Sequence, residues 1–267
     1  MTRPASHRPR PARATFATPR AVFALVLREM ATTYGRSAGG YLWAVLEPAA
    51  GIALLTVVFS VGFSNPPLGV SFSLYYATGL LPFMLFSDVS GKLGQTMQFS
   101  KSLLDYPRVT FVDALLARLL LNTFAQVAVS LVVLGFILAA TDTRLPQGIG
   151  KIALGYGMAL ALAIGIGILN SFLFLAFPFW QSIWAISTRP LFLVSGLVFQ
   201  FESVPRPYSD YLWFNPLVHV VGTVRDGFYP IYHPNDLSVS YVLAVSAVTA
   251  VLGLVLLRAY HRDIQTS

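Results

Sequence analysis

The chain has 267 residues, 55% of them hydrophobic and only 11% charged, with a mean hydropathy of +0.67. An ordinary soluble domain is about 25% charged, so this composition is that of a membrane protein. The formal net charge is +7, but the basic residues are spread along the chain instead of gathered on one soluble module, which argues against nucleic-acid binding; the absence of cysteine excludes disulfides, thiolate chemistry and cysteine-ligated metals.

Residues 1–18 are rich in Arg, Pro and Ala, contain no acid and offer no apolar face, as expected of a disordered basic cytoplasmic tail. Thr18 before Pro19 reads as an N-cap and first-turn proline, starting a helix over 19–37. Phe23, Val26, Leu27, Met30 and Tyr34 recur on one face of it, with Arg28, Glu29 and Arg36 elsewhere, the pattern of an amphipathic interfacial helix. Gly35, Gly39 and Gly40 then predict a break before a 41–258 transmembrane domain.

Runs long enough to cross an apolar core of about 30 Å are predicted near 41–63, 70–90, 109–140, 150–177, 180–201 and 238–258, the fourth and fifth divided at "FPFWQS". Lys and Arg set the orientation. The first forty residues, Lys92, Lys101, Arg108, Arg258 and Arg262 fall on one side, and only Arg144, Lys151, Arg206 and Arg225 on the other. Both termini are therefore expected in the cytoplasm, including a tail over 259–267. In the fourth run, Ala153, Gly157, Ala161 and Gly165 form one small-residue row and Gly155, Ala159, Ala163, Gly167 and Ser171 a second, the spacing that lets helix backbones pack closely. Between the second and third runs, "GKLGQTMQFSKSLLDYPRV" predicts a short cytoplasmic helix ended by Pro107. Between the fifth and sixth, Phe214, Leu217, Val218, Val221, Val224 and Phe228 form a stripe that predicts an outer helix dipping into the membrane edge.

Catalytic and metal chemistry are not indicated. There is no G-x-x-x-x-G-K-[ST] phosphate loop and no H-E-x-x-H; His7, His219, His233 and His261 have no ligand spacing, and Ser195-Gly196 lies in an apolar run with no base in reach. The ionisable residues in or near the apolar runs are Glu47, Asp88, Asp113, Arg118 and Arg189; such groups usually face a partner, a cavity or the interface. Asp88, Asp113 and Arg189 lie near helix ends, whereas Glu47 and Arg118 are deeper. Pro48 frees the carbonyl of Ala44, so Glu47 reads equally as part of a fold-specific kink or as a group at a translocation entrance. Aromatic residues toward the outer side include Tyr208, Tyr211, Trp213, Phe214, Phe228 and Tyr229. They suit either an interfacial belt or a stacking surface for sugar rings.

Two stretches carry a family resemblance. "LREMATTYGRSAGGYLWAVLEPAAGIALL" is similar to an ordered pattern of L-R-E, Y/F-G-R-S, G-Y-L-W and L-E-P, and "WFNPLVHVVGTVRDGFYP" looks like an N-P-L-x-H segment with a following Arg. Together they resemble the membrane subunit of polysaccharide-exporting ABC transporters, most closely the capsular polysaccharide permeases of Gram-negative bacteria. Where many of those carry an acid after the histidine, this chain has Gly222.

The resemblance implies an all-α integral membrane protein of six spans. It also implies an interfacial helix, a cytoplasmic coupling helix, and outer re-entrant or amphipathic helices before the last span. It implies a homodimer in the bacterial inner membrane, bound to two ATPase subunits that hold ATP and Mg, so this chain needs no cofactor of its own. The cargo would be a lipid-linked polysaccharide, handed to periplasmic and outer-membrane export proteins. On that basis Arg28, Glu29, Arg36 and Lys101 are expected at the ATPase, Tyr41, Trp43, Glu47 and Arg118 at the entrance or channel, and the six aromatics above on the outer surface. A permease for O-antigen, teichoic acid or a small drug has the same layout. A membrane-embedded enzyme on lipid-linked glycans needs an acid cluster, and these carboxylates are scattered.

Overall fold

The computed structural model describes residues 17–33, 39–99, 110–141, 143, 145–234 and 236–265, and among them there are helices and connections but no strand. In chain order the helices are α1 (Ala17–Thr33), α2 (Gly40–Gly62), α3 (Phe72–Gly94), α4 (Phe111–Ala140), α5 (Ile149–Ala176), α6 (Pro178–Val194), α7 (Tyr208–Trp213), α8 (Pro216–Phe228) and α9 (Val239–Gln265). A single 3-10 turn, Phe201–Ser203, precedes α7.

Four of these are long and apolar enough to cross a membrane: Leu42–Gly62, Phe111–Ala140, Ile149–Ala176 and Val239–Tyr260. The expected runs at 70–90 and 180–201 correspond to α3 and α6, which fall outside that set for different reasons. α3 buries most of its length against other helices, from Leu74 to Gly94, so little of it has to be apolar for lipid's sake. α6 has 17 residues, about 26 Å of helix, and no buried residue at all.

α5 is the central element, packed against α3, α8 and α9, while α3 also touches α2, α4 and α8. Of its two small-residue rows, Gly155, Ala159, Ala163, Gly167 and Ser171 are all buried, whereas in the other Ala153 and Gly157 are exposed and only Gly165 is buried, against Ser246 and Thr249 of α9. The buried row works by close approach: a Cβ on Gly167 would lie 2.7 Å from Leu93 Cβ, and one on Gly155 would strike Val224 of α8. α5 ends at Phe177, where Pro178 starts α6 as the division at "FPFWQS" requires, and Trp180 Nε1 donates to Asn170 Oδ1 at 3.1 Å across the bend.

Helix starts follow from local chemistry. Ser71 Oγ accepts from Leu74 N–H at 3.3 Å to cap α3. Thr110 and Asp113 form a reciprocal capping box on α4, with Asp113 N–H donating to Thr110 Oγ1 at 3.2 Å and Thr110 N–H donating to Asp113 Oδ2 at 2.9 Å. Asp113, 3% exposed, is therefore a capping acid. α1 starts at Ala17, which places Thr18 inside its first turn instead of at the cap. The remainder of the expected 19–37 helix beyond Thr33, and most of the expected cytoplasmic helix before Pro107, lie outside the described residues.

Candidate functional site: polar clusters along the helical domain

At the end of the molecule that carries α1, two turns into α4, Arg118 is 6% exposed. Its Nη2 forms an ion pair with Glu29 Oε1 of α1 at 2.9 Å, and its Nη1 donates to the Lys92 carbonyl of α3 at 3.0 Å. The guanidinium carbon sits 4.7 Å from the centroid of the Phe99 ring. Lys92 lies in the last turn of α3, where carbonyls lack helical partners, and the same oxygen accepts from Thr96 Oγ1 at 3.3 Å. Arg118, expected at an entrance or channel, is held by three partners within the chain. A guanidinium shared among a carboxylate, a helix-end carbonyl and a ring face is committed within the fold. Beside it, Val22, Phe23, Val26 and Met30 of α1 and Leu120, Leu121 and Phe124 of α4 enclose an apolar groove of about 480 Å³.

The other residues expected at this end separate. Arg28 is exposed on α1, and Trp43, 66% exposed, projects from α2. Arg36, Lys101 and the side chain of Tyr41 lie outside the described residues. Glu47 is exposed while Pro48 beside it, inside α2, is buried. Glu47 lies within electrostatic range of Asp88 of α3, as does Lys92 one turn along. Asp88 Oδ2 accepts from Gln126 Nε2 of α4. Asp88 and Gln126 thus join α3 to α4 by a side-chain contact that sequence spacing alone does not assemble.

At the opposite end, α8 carries the largest buried charge. Arg225 is 2% exposed and donates through Nη1 to the Gly196 carbonyl at 2.7 Å and to that of Phe199 at 3.3 Å, and through Nη2 to that of Leu197 at 2.8 Å. Its guanidinium stacks 4.1 Å from the Tyr75 ring of α3. Counting Arg225 as one more outer-side charge misses this. Spacing does not single it out, because α8 is buried on all sides, from Leu217 through Arg225.

His219 is fully buried and uses both ring nitrogens. Nδ1 accepts from Ser238 N–H at 3.2 Å, so Nε2 carries the proton and donates to the Trp213 carbonyl at 2.8 Å. Burial holds its pKa below the usual imidazole value, against the opposing pull of the Trp213 carbonyl. Trp213 Nε1 in turn donates to the Asp236 carbonyl at 2.9 Å, and Tyr241 Oη to that of Phe214 at 2.7 Å. This ties α7, α8 and the start of α9 together.

The six outer aromatics divide. Tyr208, Tyr211 and Phe214 are 66%, 74% and 65% exposed. Phe228 and Tyr229 are buried in the core and are corrected out of the surface set, because α8 is enclosed on all sides, against α3, α5 and α9 among others, and its C-terminal end is enclosed with it. Trp213 and Phe214 border a cleft of about 480 Å³ that also holds Glu202, Arg206, Asp210 and Asp236. No group of acids and histidines with metal-holding geometry occurs among the described residues.

The chain matches the family model for the ABC-2 type transporter over residues 20–229. It is 32% identical to a polysialic acid transport protein KpsM of Escherichia coli, across 92% of this chain and 95% of that protein. It is 24% identical to the capsule polysaccharide export inner-membrane protein CtrC of Neisseria meningitidis, and 20% identical to BexB of Haemophilus influenzae, each across 92% of this chain and 93% of the relative. With four helices long and apolar enough to cross a membrane among the described residues, a family match over most of its length and similarity along nearly the whole chain to these transport and export proteins, the chain belongs to the ABC-2 family of ABC transporter membrane subunits.

Proposed function

We propose that the chain is the membrane subunit of an ATP-driven exporter that moves a lipid-linked capsular polysaccharide from the cytoplasmic side across the inner membrane. The observation that carries this reading is the end-to-end similarity to capsule polysaccharide export proteins. In it, α2, α3, α4, α5, α6 and α9 cross the membrane, with both termini, α1 and the α3–α4 connection inside and α7 and α8 outside. The chain has no phosphate-cradling loop, so ATP and Mg belong to a separate pair of ATPase subunits, and the force reaches this chain through contacts. α2 and α6 are scarcely covered within the chain, which supports a homodimer with those faces against the second copy, the lipid or the cargo. Arg28, Arg36 and Lys101 are the docking residues of this reading; Tyr41, Trp43 and Glu47 shape the entrance. Tyr208, Tyr211 and Phe214 present an outer aromatic surface toward the emerging glycan and the periplasmic export proteins.

Deletion of the gene followed by staining for surface and internal polysaccharide tests the proposal. Glycan trapped inside the cell is the expected outcome. Normal surface glycan with altered drug sensitivity refutes it in favour of a small-molecule permease, and a change in glycan structure without trapping refutes it in favour of an enzyme.

A further inference from the structure

We infer that Arg118 and Glu29 form a strap that makes the interfacial helix α1, the end of α3 and the base of α4 move as one body, transmitting to α4 a force applied at either α1 or the end of α3. The inference rests on the proposed export function, since it assigns a coupling role inside that machine.

α1 leans on α4 over an apolar groove with about 480 Å³ of unfilled space. Apolar contact of this kind is non-directional and permits sliding. The Glu29–Arg118 pair is directional: its side chains are 22% and 7% exposed, so it escapes most of the screening that weakens surface pairs. One planar guanidinium holds two elements at a fixed angle, Nη2 on the Glu29 carboxylate and Nη1 on the Lys92 carbonyl. A lysine is a point charge and would hold one of them. Phe99, a few residues past the end of α3, packs its ring on the same group. Gln98 Nε2 donates to the Phe174 carbonyl of α5 at 3.1 Å, which anchors the α3 end to the central helix. Two elements of the same end therefore meet at one side chain of α4, and Arg118 is a positioning residue for the transport cycle.

The test uses the permease together with its ATPase. Glu29→Gln and Arg118→Lys are compared with wild type for complex yield, ATP hydrolysis by the purified complex, and surface glycan of the producing strain stained with a cationic dye. Expected is complex yield and hydrolysis close to wild type, with surface glycan per complex down roughly fivefold or more, the lower end of ordinary coupling energies. Because the chain has no cysteine, Glu29→Cys with Arg118→Cys labels only these two positions. A short flexible bis-thiosulfonate linker between them should restore export, and reduction should abolish it again. Wild-type export per complex in both single variants overturns the strap. So does a loss of yield matched by the loss of export, with no recovery on linking, because that pattern belongs to a purely structural ion pair. If deletion of the whole gene leaves surface glycan unchanged, it is the export reading that fails.

Discussion

Arg225→Lys and Arg225→Met separate two accounts of the buried arginine. Arg225 faces no carboxylate among its hydrogen-bond partners; it is held by the carbonyls of Gly196, Leu197 and Phe199, immediately past the end of α6. Residues 196 and 197 are buried, so water does not replace a lost donor there. Leaving one buried acceptor unpaired costs about 1–3 kcal/mol, and two give about 2–6. Removing the guanidinium recovers part of its own desolvation cost, which is several kcal/mol for a buried ion, so the net for Met falls toward the lower half, about 2–4 kcal/mol. In a chain of this size that corresponds to roughly 4–16 °C of melting temperature. Lysine keeps the charge but offers a compact ammonium that cannot fork across three carbonyls, so it should be as damaging as Met or worse. The assay is thermal unfolding of the detergent-solubilised protein followed by size-exclusion fluorescence. A Lys variant melting within about a degree of wild type would mean that charge and stem matter and the fork does not, which would refute the three-carbonyl account.

Three further outcomes follow from the same geometry. Gly167→Leu forces a side chain into Leu93 and the Ser90 backbone and should cost about 1–3 kcal/mol, whereas Gly157→Leu points into open space and should leave the monomer's melting temperature unchanged; equal effects would refute the assignment of the packed row. His219 has its pKa lowered by burial, so the unfolded chain takes up a proton first as pH falls. Its contribution is complete above the ordinary value of about 6.5 and is lost as pH drops from there toward the folded pKa, so wild type should lose more melting temperature between pH 7.5 and 5.5 than His219→Asn does. Glu47→Gln should assemble normally with its ATPase and export roughly fivefold less or worse, because Glu47 is exposed while Pro48 beside it is buried; loss of assembly would assign Glu47 to the structure of α2 instead.

Local structure is legible in the sequence where one residue decides it. The Phe177-Pro178 break acts within a turn of chain, so the sequence order carries the information. Which small row packs along its whole length, and which only at Gly165, is not legible, since both have the same spacing in α5, and only the positions of α3, α8 and α9 choose between them. The site residues show the same limit. Glu29 and Arg118 read from sequence as residues with different tasks, because their separation along the chain says nothing of their 2.9 Å contact. Phe228 and Tyr229 read as surface residues because aromatics near a membrane interface look alike whether they anchor in it or pack beneath it.

The two buried arginines point to a last prediction. Arg118 holds the Lys92 carbonyl near one end of α3, and Arg225 stacks on Tyr75 near the other, so α3 is gripped at both ends by side chains from different helices. Residues 75 and 92 are about 26 Å apart along the helix axis, far beyond direct interaction. Between them α3 is packed on nearly every turn against α2, α4, α5 and α8. Sites that distant should add in stability to within about 0.5 kcal/mol. Transport is different if α3 is the rod that relays movement at Arg118 to the outer helices held by Arg225, because a rod released at one end gains little from being held at the other. A double-mutant cycle of Arg118→Lys and Arg225→Lys should therefore be additive in melting temperature but strongly sub-additive in export per complex. Additivity in both would show that the two clamps act separately, and α3 would then be a scaffold and not a relay.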